Sequence, residues 1–301
     1  MSTPSTSEKS ATIADRGYQP YRGGYTELST RWMLVCKRSL SSALKQRWIL
    51  ILMVAALLVA AVAAVLTYLQ SAVIPSAAVT ALKSYTAPGI VSYSVATSSF
   101  GTLLLTLFIA IYCGGSAIAE DVRSGAFQFY FSRPLSRDQY LVGKLVPAVI
   151  LLLSVSFVPT FLVALMRASL AKTIDEMTSL VYLPIGAIAF GVSQAIVYGL
   201  VSVALSSLAR SRSYAQATVA GALFLPWILG RVIAPITRSY LPKLLSLPDL
   251  FDALAHALFR VPSGLSDRIL PIWLTIPTLL AISASATVLL RAQIAEKERT
   301  T

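Results

Sequence analysis

Catalysis needs a nucleophile, an acid or base, a set of metal ligands or a phosphate cradle, and this sequence offers few of them. Its one histidine is His256, and its two cysteines are Cys36 and Cys113. That count excludes a zinc site built from histidines, and two distant cysteines do not replace one. A serine–histidine pair would have to join Ser193 to His256. His256, however, shares a helix face with Asp249, Asp252 and Arg260, the pattern of a surface histidine. Gly143-Lys144 lacks the upstream glycine and the following hydroxyl residue of a phosphate-binding loop, so ATP hydrolysis by that device is excluded. No carboxylate pair lies within an apolar segment. No ionisable residue lies near the middle of one, where a proton- or ion-driven carrier places its relay. Gln194 and Gln216 are the strongest polar groups there. No catalytic, cofactor-binding or metal-ligating residue is assigned, and energy for any work must come from outside the chain.

What remains is recognition. Ala119 to Lys144 is the longest charged interruption between two apolar segments on the side read below as cytoplasmic. It carries Glu120, Asp121, Arg123 and Arg133, then Arg137, Asp138 and Lys144, with an aromatic run of Phe127, Phe129, Tyr130 and Phe131 closed by Pro134. Phe127, Tyr130 and Phe131 fall at i, i+3 and i+4, so a short helix would place them on one face, and Pro134 would end it. Such an element is either a docking knob for a partner or an amphipathic helix resting on headgroups.

Asp121-x-x-x-Gly125, Ser132-Arg133-Pro134-Leu135-Ser136-Arg137 and Gly143-Lys144 together resemble the cytoplasmic loop signature of ABC-2-type transport permeases. The chain departs from it at Ala126, where threonine is usual, and at Asp121, where glutamate is commoner. The resemblance implies the membrane subunit of a bacterial ABC exporter, in the cytoplasmic (inner) membrane. A separate nucleotide-binding ATPase would bind the ATP and magnesium and dock on a coupling helix at Asp121, Arg123, Gly125, Phe127, Tyr130, Phe131, Arg133, Pro134 and Arg137. It also implies a second permease copy or a related permease, an interfacial connecting helix before the first span, and short outer helices that re-enter the membrane before the last. In the family the second and fifth spans face the dimer interface, which makes Ser98, Ser99, Thr102 and Thr106 a candidate pathway. Ordinary helix–helix hydrogen bonding is the alternative for those hydroxyls. A lipid-like, peptide or polymer cargo is compatible. So are a non-transporting anchor that transmits force for a cytosolic partner and, less well, a secondary transporter.

The elements that would position these residues follow from composition. Of the 301 residues 56% are apolar and 13% charged, about half the charge of a soluble domain. The expected fold is therefore all-α and polytopic, with six transmembrane helices, an N-terminal interfacial amphipathic helix and short outer helices before the last span. The apolar segments are Trp48 to Leu69, about Val95 to Ala119, Leu145 to Met166, a stretch within Leu180 to Ala209, Tyr214 to about Gly230, and Ile269 to Leu290. Pro159, Pro184, Pro226 and Pro277 would kink them. Residues 1–25 read as a disordered tail, 26–47 as the interfacial helix with its basic face toward headgroups, 48–290 as the transmembrane domain with the coupling loop at 119–144 and an outer helical loop at 231–268, and 291–301 as a second tail. No cleavable signal peptide precedes the first span.

The net charge of +12 comes from basic clusters beside spans and does not imply nucleic acid. With the N-terminus inside, 17 of the 25 basic residues lie on the cytoplasmic side, which places both termini in the cytoplasm. Cys36 and Cys113 lie too far apart for a structural disulfide to be expected. Ala187, Gly191, Ala195 and Gly199 form a small-residue stripe for close packing, within the chain or against a second copy. Pro248 to Arg260 reads as a two-faced outer helix, with Leu250, Phe251, Leu254 and Leu258 opposite Asp249, Asp252, His256 and Arg260.

Overall fold

The computed structural model describes residues 31–72, 88–98, 101–126, 136–261 and 270–299. Every regular element among them is helical. Six helical stretches are long and apolar enough to cross a membrane: Arg47–Leu69, Ile90–Arg123, Arg137–Ser169, Ile174–Leu208, Arg212–Thr237 and Ile272–Glu296, here spans 1 to 6. α1 (Arg31–Leu44) precedes span 1, which is α2 (Arg47–Ala72). Span 3 is α6 (Arg137–Ser169); α7 (Ile174–Leu180) leads into α8 (Tyr182–Leu208) as span 4; span 5 is α9 (Arg212–Thr237) and span 6 is α11 (Ile272–Arg299). A 3-10 turn (Leu241–Leu245) and α10 (Leu247–Leu258) lie between the last two.

Spans 3 and 4 form the centre, and the small-residue stripe is the reason. Ala187, Gly191, Ala195 and Gly199 are all buried. A Cβ on Gly191 would stand 2.5 Å from Phe157 Cα, and one on Gly199 2.9 Å from Val149 Cγ2. Absence of side-chain carbon lets the two backbones approach, so the partner of the stripe is span 3 of the same chain. Pro147 and Pro159 sit inside α6, Pro226 and Pro235 inside α9, and Pro277 inside α11. Pro184 is instead in the first turn of α8. It follows the turn at Val181 that separates α7 from α8 within span 4.

The spans run past their apolar stretches. α6 starts at Arg137, well before Leu145, because Ser136 and Gln139 form a capping box: Gln139 N donates to Ser136 Oγ at 3.3 Å and Ser136 N to Gln139 Oε1 at 3.2 Å. Span 2 departs most from expectation. It starts at Ile90, not near Val95, and it is broken. α3 (Ile90–Thr97) gives way to α4 (Thr102–Ile109), a π-turn over Ala110–Gly114, and α5 (Ala119–Arg123). Thr102 Oγ1 donates to Val95 O at 3.0 Å across the first break.

α10 lies antiparallel along α8. Arg260 stacks over the Tyr182 ring at 4.6 Å, Phe259 meets Phe190 at 6.2 Å, and Phe251 meets both Phe190 (5.9 Å) and Tyr198 (5.5 Å). From Tyr182 to Tyr198 is about 24 Å of helix, so α10 and the residues just after it run along over half of α8. The two-faced reading of this helix needs correction. Leu250 and Phe251 are buried as expected, but so is Asp249, at 7% exposure, and His256 is half-buried. α10 is packed by neighbours on both sides, so its polar residues lie among protein groups.

Candidate functional site

At the end of the bundle that carries α1, the signature residues assemble around one buried ion pair. Asp121 lies in α5, the last turn of span 2. Tyr140 and Lys144 lie four residues apart on one face of α6. Asp121 Oδ2 accepts a hydrogen bond from Tyr140 OH at 2.8 Å and pairs with Lys144 Nζ at 2.7 Å. The Lys144 and Asp121 side chains are 9% and 12% exposed, and Tyr140 is fully buried. An isolated charge at that burial would be costly; here each is matched and the carboxylate has a second donor. Gly143, beside Lys144, is where α1 docks. A Cβ there would stand 2.9 Å from Val35 Cβ and 3.1 Å from Trp32 O. Gly125 follows the C-cap of α5 with φ +67°, in open space, so its backbone and not its surroundings requires glycine. Span 2, span 3 and α1 are thus joined close to Ala126 and Ser136, the described residues on either side of 127–135.

The break above α5 is held from span 4. Ile118 N and Ala119 N both donate to Ser206 Oγ at 3.1 Å. These are N-terminal amides of a helix that has no capping side chain of its own. Gly114 packs directly on Ser202 Oγ, which leaves no room for a side chain.

A second polar group lies at the α10 end. Tyr93 OH donates to Asp252 Oδ1 at 2.7 Å, and His256 stands edge-on to the Tyr93 ring at 6.1 Å. Asp249 Oδ1 is 3.9 Å from Arg231 Nε, and Asp249 N donates to Ser246 Oγ. Burial pushes the Asp249 carboxyl above its usual range; the Ser246 hydrogen bond and the Arg231 and Lys243 charges oppose this. Ser193 donates to Phe190 O, and no hydrogen bond joins it to His256, so no dyad forms.

The family described as ABC-2 family transporter protein matches residues 33–291, which take in most of α1, spans 1 to 5 and most of span 6. This chain belongs to the ABC-2 transporter family. A search of curated proteins finds no match. The chain is accordingly a multi-pass permease subunit of an ABC transporter, and the family implies association with an ABC ATPase subunit.

In this ABC-2 permease the signature splits into two kinds of residue. Asp121, Gly125, Ser136, Gly143 and Lys144 shape the scaffold around the loop. Arg123 and Arg137 are exposed beside it. Phe127, Tyr130, Phe131, Arg133 and Pro134, the core of the expected coupling helix, lie outside the described residues, as does Ser99. Among the candidate pathway residues, Ser98 is half-buried, whereas Thr102 and Thr106 are fully buried. Their hydroxyls donate to Val95 O and Thr102 O, so within one chain they face the interior of the subunit. Tyr140 and Ser206 were not singled out by sequence. Tyr140 carried a usable signal, four residues before Lys144 and across the loop from Asp121. Ser206 carried none, because its partners are 87 and 88 residues away.

Proposed function

We propose that this permease works with a separate nucleotide-binding ATPase to export a cargo across a bacterial cytoplasmic membrane. Both termini lie in the cytoplasm, and two permeases, identical or related, pair to form the transport unit. ATP and magnesium stay on the ATPase. The residues Gly125 to Arg137 receive it, with Phe127, Tyr130 and Phe131 as the apolar knob and Arg133 and Arg137 as polar contacts. The observation that carries this reading is the buried contact of Asp121 with Tyr140 and Lys144. It ties the end of span 2 to the start of span 3 directly beside the docking loop. A push on that loop is delivered to two spans together, and through Gly143 to α1, instead of being absorbed by one flexible connection. Ser98, Ser99, Thr102 and Thr106 contribute to the route only if span 2 turns during the cycle, since Thr102 and Thr106 face inward in a single chain.

The test is co-purification. The tagged chain is extracted from its own host in mild detergent and the accompanying proteins are identified. The expected result is a P-loop ATPase in about equal amount, lost on Phe131→Asp while membrane insertion is kept. A folded chain with no ATPase would reject the coupling and favour a stand-alone anchor.

A further inference from the structure

Beside the Asp121–Lys144 pair a cavity of about 310 Å³ opens between α1, the end of span 2 and the start of span 3. Its charges are arranged in two halves. Asp121 and Lys144 neutralise each other in one wall. Arg38, Ser39 and Ser42 line the α1 side and Glu120 the α5 side. Arg38 and Glu120 form no ion pair, and Ser39 and Ser42 no side-chain hydrogen bond, among the described residues. A plain anion entering here would meet Glu120, and a plain cation would meet Arg38. A ligand with both charges a few ångströms apart satisfies both walls. The cavity also has an apolar end, where Ile49 and Leu151, both buried, line it. It opens where span 1 begins, at the depth where apolar helix meets basic residues, which is headgroup depth. Tyr112 is the one aromatic ring among the described lining residues. An aromatic cage for a quaternary ammonium is therefore missing, whereas Glu120 can accept hydrogen bonds from a primary one.

We propose that this cavity binds the headgroup of a phosphoethanolamine lipid, with the phosphodiester at Arg38 and the α1 hydroxyls, the ammonium at Glu120 and the glycerol end toward Ile49 and Leu151. The bound lipid fills the gap between α1 and the ion-paired ends of spans 2 and 3.

The experiment is native mass spectrometry of the full-length chain in detergent. Phosphatidylethanolamine, phosphatidylcholine and phosphatidylglycerol are added at matched concentration. The unaltered chain should retain phosphatidylethanolamine over the other two by roughly ten-fold. Glu120→Lys should reverse the preference toward phosphatidylglycerol, a gain that misfolding cannot produce, and Glu120 is exposed and outside the buried pair. Arg38→Gln should weaken retention of all three. Equal or stronger retention of phosphatidylglycerol by the unaltered chain would overturn the proposal, as would an unchanged ratio in Glu120→Lys. Full displacement of the lipid by millimolar O-phosphoethanolamine would overturn the lipid as occupant in favour of a soluble phosphorylated amine.

Discussion

Lys144 Nζ stands 2.7 Å from Asp121 Oδ2, and these two residues close the gap between spans 2 and 3 on either side of the aromatic loop. The relationship explains why a signature spread over more than twenty residues contains an acid at its start and a lysine at its end. The two ends are one contact.

Removing one partner leaves a buried charge without its counter-charge. Asp121→Asn or Lys144→Met alone should each destabilise the chain by about 3–5 kcal/mol. The double substitution removes both charges and should recover most of that loss. Tyr140→Phe, which deletes one hydrogen bond to a charged acceptor, should cost about 1.5–3 kcal/mol. Unfolding in detergent, analysed as a double-mutant cycle, measures the coupling. Strict additivity of the two single changes would show that the pair does not act as a unit.

The glycines give a contrast that requires no charge. Gly191→Ala places a methyl 2.5 Å from the Phe157 backbone, where nothing can rotate away. It should destabilise the contact of spans 3 and 4 by about 1–3 kcal/mol, the usual penalty for overpacking. Gly221 in span 5 has nothing within 4 Å of its Cβ position. Gly221→Ala should be neutral or stabilising by up to about 1 kcal/mol. If thermal stability fell equally in both variants, the close approach at Gly191 would not be the cause.

Asp249 should make stability depend on pH in a stated direction. Its carboxyl titrates above the ordinary value of 3.8, because burial disfavours the charged form. A raised pKa in the folded state means the native protein holds its proton more tightly than the unfolded one. The penalty is absent below pH 3.8, grows as pH rises through the window above it, and is complete once the native carboxyl has ionised. Asp249→Asn keeps the shape without the charge. It should melt higher than the parent at pH 7, with the difference vanishing toward pH 4. A lower melting temperature at pH 7 would mean that the Arg231 contact outweighs desolvation.

Much of this molecule was legible in the sequence, and the failures have a common cause. Hydropathy located all six spans because the lack of water inside a bilayer forces long apolar helices. It missed their ends, since a capping box such as Ser136–Gln139 extends a helix into polar sequence. It missed the break before α5, because what holds it, Ser202 and Ser206, lies in span 4. It put Asp249 on a wet face because periodicity reports one helix at a time, and α10 has protein on both sides. The family signature was readable, and its scaffold residues have clear physical roles. The aromatic knob at Phe127 to Phe131 lies outside the described residues, so its part in docking rests on the functional proposal.

Ser206 offers the sharpest test of how span 2 is held. Its one hydroxyl oxygen accepts from Ile118 N and Ala119 N, and Ser206 itself is fully buried. Ser206→Ala removes the acceptor and leaves two amides at the start of α5 without a partner, in a place water does not reach. Each such orphan costs about 1–3 kcal/mol. The loss should appear locally, because α5 is a short helix with little else to hold its first turn. Hydrogen exchange at Ile118 and Ala119 should accelerate far more in Ser206→Ala than exchange in the centre of span 3. Ser206→Thr keeps an oxygen at the same position and should restore most of the protection. Since α5 carries Asp121, fraying at Ile118 should also loosen the contact with Lys144, and the effects of Ser206→Ala and Lys144→Met should then be less than additive. Full additivity would separate the cap from the ion pair and leave α5 anchored by Asp121 alone.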